Sequence, residues 1–329
     1  MRNQKDIYCD MGFWRDLSGK IAVAKFLPDL EVCRKNQTLT DWYELLSRSH
    51  VLFDTSADDF ELVAKEDPYL FNIWKRSTDG RSQLDFSLGA INAMAAGSSQ
   101  MESNMYNALF LSHNNYVAQA SKVGVINVHS NSVYDHSELF NDSGPAIKRS
   151  DKYRWLQLLK EAKAKHDFNS MVIADNYIFK DVNVNLYEIL NSLLPQKLDT
   201  VFYITAFSFN DSNEDEIAKR KKRLAEKVME LRPSFAKESV KVEVFGCSKD
   251  EFHDRGIVTN YLWIEIGAGF DILKSDGTAK HSTNLHVTYP MIISEERMKC
   301  NKEGYLNIIS DAKKCLKNRN LHSHNRLLR

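Results

Sequence analysis

The chain has 329 residues, 43% hydrophobic and 27% charged, the composition of a folded globular protein, which excludes disordered and fibrous classes. Lysine and arginine number 44 against 44 acidic residues, so no overall field points to nucleic acid or acidic lipid. The halves differ: residues 1–146 carry a net charge of −6 and residues 147–329 a net of +6. At about 150 residues per domain the length predicts two α/β domains, an acidic one over 1–146 and a basic one over 147–329.

Cys9, Cys33, Cys247, Cys300 and Cys315 are widely spaced, with no Cys-x-x-Cys pair. That spacing excludes a disulfide framework and a cysteine zinc site of the usual kind. No apolar run reaches the roughly 18 residues that span a bilayer, and the opening MRNQKDIYCDMGFW lacks the apolar stretch of a secretory signal. These features predict a reduced, cytoplasmic protein.

In chain order, Ile7-Tyr8-Cys9 predicts a short buried strand ending at Asp10, and a helix is expected from Thr40 or Asp41. His50–Phe53 is a second strand, ending at Asp54. Ser56 opens a helix over Ala57–Glu66 that breaks near Pro68 and resumes to Arg76. Leu109–Leu111 is a strand, Tyr116–Lys122 a helix stopped by Gly124, and Val125–Val128 another strand. Strands alternating with helices predict a mostly parallel sheet. Asn141–Pro145 is the clearest turn cluster and the expected boundary. A helix over Asp151–His166 is followed by the strand Ser170–Ala174, which ends at Asp175. The helix Val184–Leu194, the strand Thr200–Thr205, a charged helix over 214–232, the strand Val240–Phe245 and the hairpin Gly256–Thr259 with Leu262–Ile266 complete the series.

In the N-terminal half the carboxylates lie where strands end, at Asp10 and Asp54, with Asp58, Asp59 and Glu61 opening the next helix and Asp85 further on. Strand C-termini converge on the ligand crevice of an open α/β sheet. Carboxylates gathered there suit a hard cation, Mg²⁺ or Mn²⁺, that polarises a phosphodiester and activates water. The alternative is that Asp10 and Asp54 are turn residues and that Asp58 and Asp59 favour the positive end of a helix.

Ile7-Tyr8-Cys9-Asp10, together with the run from Leu109 through Ser112-His113-Asn114-Asn115 to Ile126, resembles the PIN-like nuclease family. The resemblance implies metal-dependent cutting of RNA. Asp10 would be the first metal ligand, Glu61 or Asp58 the second and Asp85 a third, with Asp10, Glu61 and Asp85 catalytic. Where the family places a carboxylate after the late strand, this chain has Ser112–Asn115, with Asn114 as an uncharged candidate ligand.

In the C-terminal half, Phe252-His253-Asp254-Arg255-Gly256 runs through a tryptophan strand to Gly267-Ala268-Gly269-Phe270-Asp271. With Val172–Ile178, Asn185–Leu190 and Val201–Ala206, it looks like the phospholipase D-like C-terminal domain of MIT-domain proteins over about 150–290. The resemblance implies a non-catalytic module that binds a phosphate-bearing surface, membrane lipid in the eukaryotic members. Phospholipase D chemistry needs two facing His-x-Lys-x4-Asp motifs. The chain offers His253 and Arg255, with Asn260 in the acid's place, and neither His281 nor His286 has the spacing of a second motif. Arg255 remains a candidate bidentate phosphate ligand. A structural His–Asp–Arg network is the alternative.

Lys219-Arg220-Lys221-Lys222-Arg223 is either a phosphate-touching run or a solvated helix face. The basic tail after Asp311 is either a nucleic-acid arm or a helix end. Gly267 and Gly269 lack dinucleotide-loop spacing and predict a close backbone approach. Trp155, Trp263 and Tyr261 suit core positions better than a membrane-inserting loop.

Two functions follow. The first is a nucleic-acid-binding protein, RNA before DNA, with a degenerate metal-dependent nuclease, suited to a bacterial antiviral or conflict system. The second is a non-catalytic adaptor that binds an anionic polymer or membrane surface together with a protein partner or a second copy of itself.

Overall fold

The computed structural model describes residues 6–24, 30–95, 109–140, 146–148, 156–157, 159–160, 168–175, 177–180, 182–198, 200–209, 213–267, 269–289 and 295–329. The chain divides into two compact α/β units. One comprises Met1–Asn141 with Met291–Arg297, and the other Asp142–Pro290 with Met298–Arg329. The expected turn Asn141–Pro145 and most of the expected helix Asp151–His166 lie outside the described residues.

The first unit is built on β1 (Asp6–Asp10), β2 (His50–Asp54), β3 (Gln83–Phe86), β4 (Leu109–Ser112) and β5 (Ile126–His129), all parallel, in the order β3-β2-β1-β4-β5. Apolar residues line both faces of the central strands because helices cover both. Tyr8 and Phe110 join Ile91, Ala120 and Val125 in one cluster, supplied by α5 (Ala90–Ala95) and α6 (Val117–Val123). Ile7, Cys9, Val51 and Phe53 alternate with these and are also buried.

Helices α1 (Met11–Ala24), α2 (Leu30–Ser47), α3 (Ala57–Glu66) and α4 (Pro68–Thr78) pack against one another. Phe13, Trp14 and Leu17 of α1 and Leu39, Trp42, Leu45 and Leu46 of α2 are buried. Asp67 explains the break at Pro68. Its carboxylate accepts from Tyr69 N and Leu70 N at 2.9 and 3.0 Å to cap α4, and from Trp14 Nε1 at 3.0 Å. Pro68 then takes the first helical position, where no amide donor is needed.

Thr40 and Asp41 do not start a helix. They lie inside α2, where the Thr40 hydroxyl donates back to Asn36 O at 2.9 Å. α1, β3 and α5 are further elements that the sequence pattern did not announce.

The second unit holds a seven-stranded mixed sheet in the order β6-β12-β11-β10-β7-β8-β9. Its strands are β6 (Ala146–Ile147), β7 (Ser170–Ala174), β8 (Phe202–Ser208), β9 (Val240–Gly246), β10 (Gly256–Thr259), β11 (Trp263–Ile266) and β12 (Thr283–Thr288). β7, β8 and β9 are parallel, and the β10–β11 hairpin is antiparallel. Helices α7 (Tyr187–Leu193), α8 (Glu214–Leu231) and α9 (Glu295–Asn318) complete the unit. α8 starts at an Asn213 cap and three acidic residues, as the helix dipole favours.

Tyr305 of α9 donates to Thr259 O at 2.9 Å, and Gly304 faces the Trp263 ring. The chain after α9 is no free arm. Asn325, Arg326, Leu327 and Leu328 are buried, and Asn325 Nδ2 donates to Met171 O at 3.0 Å and Thr205 Oγ1 at 3.1 Å. Ser323 and His324 fasten the segment to Glu243, whose carboxylate accepts from His324 N at 3.0 Å and from the Ser323 hydroxyl. Burial works against ionisation of Glu243, but these donors and Thr205 hold its carboxyl below the usual range.

Candidate anion-binding site

In the order β3-β2-β1-β4-β5 the chain direction across the sheet reverses between β1 and β4. The C-terminal ends of those two strands therefore flank the crevice where open α/β sheets place ligands. The register sets Asp10 beside Asp54 on one side, and Ser112 beside His129 on the other.

The Asp10 carboxylate is enclosed by donors. It accepts from Phe13 N at 2.5 Å, from Ser112 Oγ at 2.8 Å and from His113 N at 2.7 Å. It thus caps α1 and ties that helix to the end of β4. A helix N-terminus at a strand end normally offers an anion seat, and here the side chain of Asp10 fills it. In the segment Ser112–Asn115, where a carboxylate was the feature expected of a PIN-like chain, Ser112 serves as Asp10's donor. A Cβ on Gly12 would lie 2.9 Å from His113 Cβ, so glycine permits this close approach.

The other carboxylates expected to share a metal with Asp10 lie elsewhere. Asp58 is exposed in the first turn of α3, beside Asp59, whose amide is capped by Ser56 Oγ at 3.1 Å. Glu61 is exposed and pairs with Lys65 at 2.9 Å, one turn along the same helix. Asp85 sits in the edge strand β3 and pairs with His50 Nε2 at 2.6 Å. Among the described residues no three His, Cys, Asp or Glu side chains converge on a metal position. The donor set for Mg²⁺ or Mn²⁺ expected from the resemblance does not come together, because each of Asp10, Glu61 and Asp85 is held by its own protein partner.

What the crevice does gather is positive charge. A cavity of about 570 Å³ opens between α1, α2, the turn after β4 and the segment after β5, with Arg15, Lys20, Lys35, His113, Asn131 and Tyr134 in its wall. Arg15, Gly19 and Val23 form a stripe on α1 whose spacing opposes the buried Phe13, Trp14 and Leu17, with Lys20 at the border of the two faces. Lys20 Nζ donates to Ser130 O at 2.6 Å, and Lys35 Nζ lies 5.9 Å from the Tyr134 ring centre.

One acid, Asp16, faces the same space, its carboxylate oxygen 2.9 Å from His113 Nδ1. Burial pushes the Asp16 carboxyl up, but Ser130, the His113 ring and the Lys20 ammonium bring it below the ordinary value. The His113 ring also stacks on His129 at 6.3 Å. Sequence reasoning missed this stripe because it assigned no helix after Asp10, where Gly12 and Gly19 interrupt the pattern. The signal available was the basic spacing of Arg15 and Lys20 behind a strand-end carboxylate.

In the second unit the expected binding residues are dispersed. Arg255 is exposed, 5.3 Å from the Tyr177 ring centre. The backbone N–H and ring Nδ1 of His253 both lie 3.2 Å from Asp311 Oδ2. Asn260 lies past the far end of β10, fully buried. Its Oδ1 accepts from Asn169 N at 3.1 Å and from Ser170 N at 3.0 Å, so it ties the end of β10 to the start of β7. Arg220 is buried against Phe179 and bonds to Glu216 at 3.2 Å and to the Ser208 hydroxyl. Lys219 is exposed on the same helix.

The Gly-x-Gly-Phe-Asp run proves to be a cradle for Asp175. Gly269 takes φ +75°, where a Cβ would lie 2.7 Å from Asp175 Oδ2, and Phe270 N donates to that oxygen at 3.3 Å. Ile178 N supplies another donor at 3.0 Å. Burial outweighs these donors and the nearby Arg255 and pushes the Asp175 carboxyl up to about 6. Asp271 accepts from Asn185 Nδ2 at 3.1 Å, and Asn185 Oδ1 accepts from Leu273 N at 2.7 Å, which closes the loop on itself.

No protein-family model matches the chain, PIN-like and MIT C-terminal families included, and no curated protein matches it. Among solved structures, a polyphosphate kinase from Porphyromonas gingivalis is similar at a TM-score of 0.29 and 13% identity. That similarity covers 46% of this chain and 24% of the kinase's.

Proposed function

We propose that the protein binds a phosphate-bearing polymer, single-stranded RNA before DNA, in the basic cavity at the end of β1 and β4. The observation that carries this reading is the joining of Arg15, Lys20 and Lys35 around a space of about 570 Å³ at the switch point of the sheet. Such a volume falls in the range of ligand pockets, ~300–1,000 Å³. Arg15 offers a fork to a phosphate, the two lysines act as point charges, and Tyr134 offers a ring on which a base stacks. Asp10 organises the strand ends and repels an anion from the α1 terminus, so the phosphate settles over the α1 stripe.

This is the binding function without the metal chemistry. A role in a bacterial antiviral or conflict system rests on the two family resemblances, and a place in the cytoplasm on the spread of the five cysteines and the lack of long apolar runs. Among the described residues no helix is long and apolar enough to cross a membrane.

Fluorescence anisotropy with a labelled oligouridine tests the reading. Arg15→Ala and Lys35→Ala each weaken binding by about tenfold and lower the salt slope by about one. His253→Ala leaves it unchanged. Equal affinity in all three variants contradicts the proposal. Mn²⁺-dependent cutting that is lost in Asp10→Ala would restore the nuclease.

A further inference from the structure

β9 ends the seven-stranded sheet. Its seven residues keep unbroken register with β8, from Phe202↔Val240 to Ser208↔Gly246, and among the described residues no strand pairs with its other side. Natural sheets protect such an edge with proline, a bulge, a short length or charge. β9 has neither proline nor bulge, and Lys241 and Glu243 are its only charges.

Beside this edge runs a groove of about 750 Å³ between β9 and α8. Its floor is apolar, from Val240 and Val242 of the strand and Ala225 and Met229 of the helix. Lys221 and Lys222 mark one end, Glu226 lies between, and Glu230 with Lys237 marks the other. α8 therefore presents two rows toward the groove, Lys221–Ala225–Met229 and Lys222–Glu226–Glu230, each spaced by one turn.

We propose that this edge and groove are the seam of a two-fold dimer, with a second copy of this chain as the occupant. A two-fold axis through Val242 pairs β9 with its copy in antiparallel fashion and joins the two sheets into one. It sets Lys241 opposite Glu243 of the second copy, whose carboxylate also accepts from Ser323 and His324 of its own chain, and Glu243 opposite its Lys241. Val242 meets itself, and Val240 meets Val244.

The same axis brings the two α8 helices side by side in opposite directions near Ala225, a small residue that allows close approach. Lys222, 3.8 Å from Glu226 on its own helix, then faces Glu230 of the other copy, which Lys227 also contacts at 2.7 Å. The Lys222–Glu230 and Lys241–Glu243 pairs repeat under rotation, which an isologous interface requires, and the apolar floor is covered from both sides.

The test is sedimentation equilibrium on the full chain with charge swaps at exposed positions. The parent sediments at twice its 37.9 kDa at micromolar concentration. Lys222→Glu and Glu230→Lys each weaken self-association by about tenfold, and the double variant recovers to within about twofold of the parent. Circular dichroism shows that all of them fold. A parent that stays monomeric at ~50 µM overturns the proposal, since obligate or stable pairing of this kind holds well below that concentration. So does a double variant no tighter than the singles, because rescue is specific to the facing of residues 222 and 230 across the axis.

Discussion

Asp10 and Asp175 occupy equivalent places, each at the end of a central parallel strand, and their surroundings separate them. Asp10 is half-buried and meets three donors, so it acts as a cap and a tie. Asp175 is fully buried beneath Gly269, and loss of water dominates its ionisation. Its folded value of about 6 lies above the ordinary 3.8 that the unfolded chain restores. Between those values the folded protein keeps a proton that the unfolded chain releases, so stability falls as pH rises across this window and levels off above it. The loss reaches about 3 kcal/mol. Urea unfolding of Asp175→Asn against the parent, from pH 4 to pH 7, is expected to show the variant gaining relative stability as pH rises. A difference that stays constant with pH would mean that Asp175 titrates normally.

Both strand-end aspartates were legible in the sequence, because an apolar run that stops at a carboxylate marks the end of a buried strand. Their partners were not, because Ser112, His113 and Gly269 come from distant parts of the chain. Asn260 shows the opposite failure. Motif spacing put it in a site, whereas its amide joins Asn169 and Ser170 at the far end of the strand.

At the scale of elements, the parallel strands other than β3 and the β10–β11 hairpin followed from apolar runs and turn residues. The helices with glycine inside them did not. α1 carries Gly12 in its first turn, where His113 needs the room, and α9 carries Gly304 against Trp263. In each case a poor helix former is kept because a packed neighbour leaves no space for a Cβ, and that neighbour is invisible to local reading. The two effects oppose each other in Gly304→Ala. Helix propensity favours alanine by about 1 kcal/mol, but the new Cβ lies 2.5 Å from two Trp263 ring atoms. Overpacking costs about 1–3 kcal/mol, so thermal denaturation is expected to show a lower midpoint. A raised midpoint would mean that α9 yields freely at this contact.

For the whole molecule, net charge was a poor guide to the binding surface. The N-terminal unit is acidic in sum, yet its crevice is basic, because Asp58, Glu61 and Asp85 lie on outer faces and in the edge strand while Arg15, Lys20 and Lys35 line the cavity. In the other unit, Arg220 of the basic run on α8 turns inward and is spent on packing, with Lys219 left in solvent. The electrostatics of a site are local over a Debye length of about 8 Å in physiological salt, so the arrangement of three cations outweighs the sum over a domain.

Photo-crosslinking of the full chain to an oligouridine containing 4-thiouridine, followed by peptide mapping, tests the location of that site most directly. Adducts on the peptides that carry Arg15–Val23 and Tyr134 are the predicted result. Adducts confined to Lys219–Arg223 and Arg255, with none on the first unit, would contradict it.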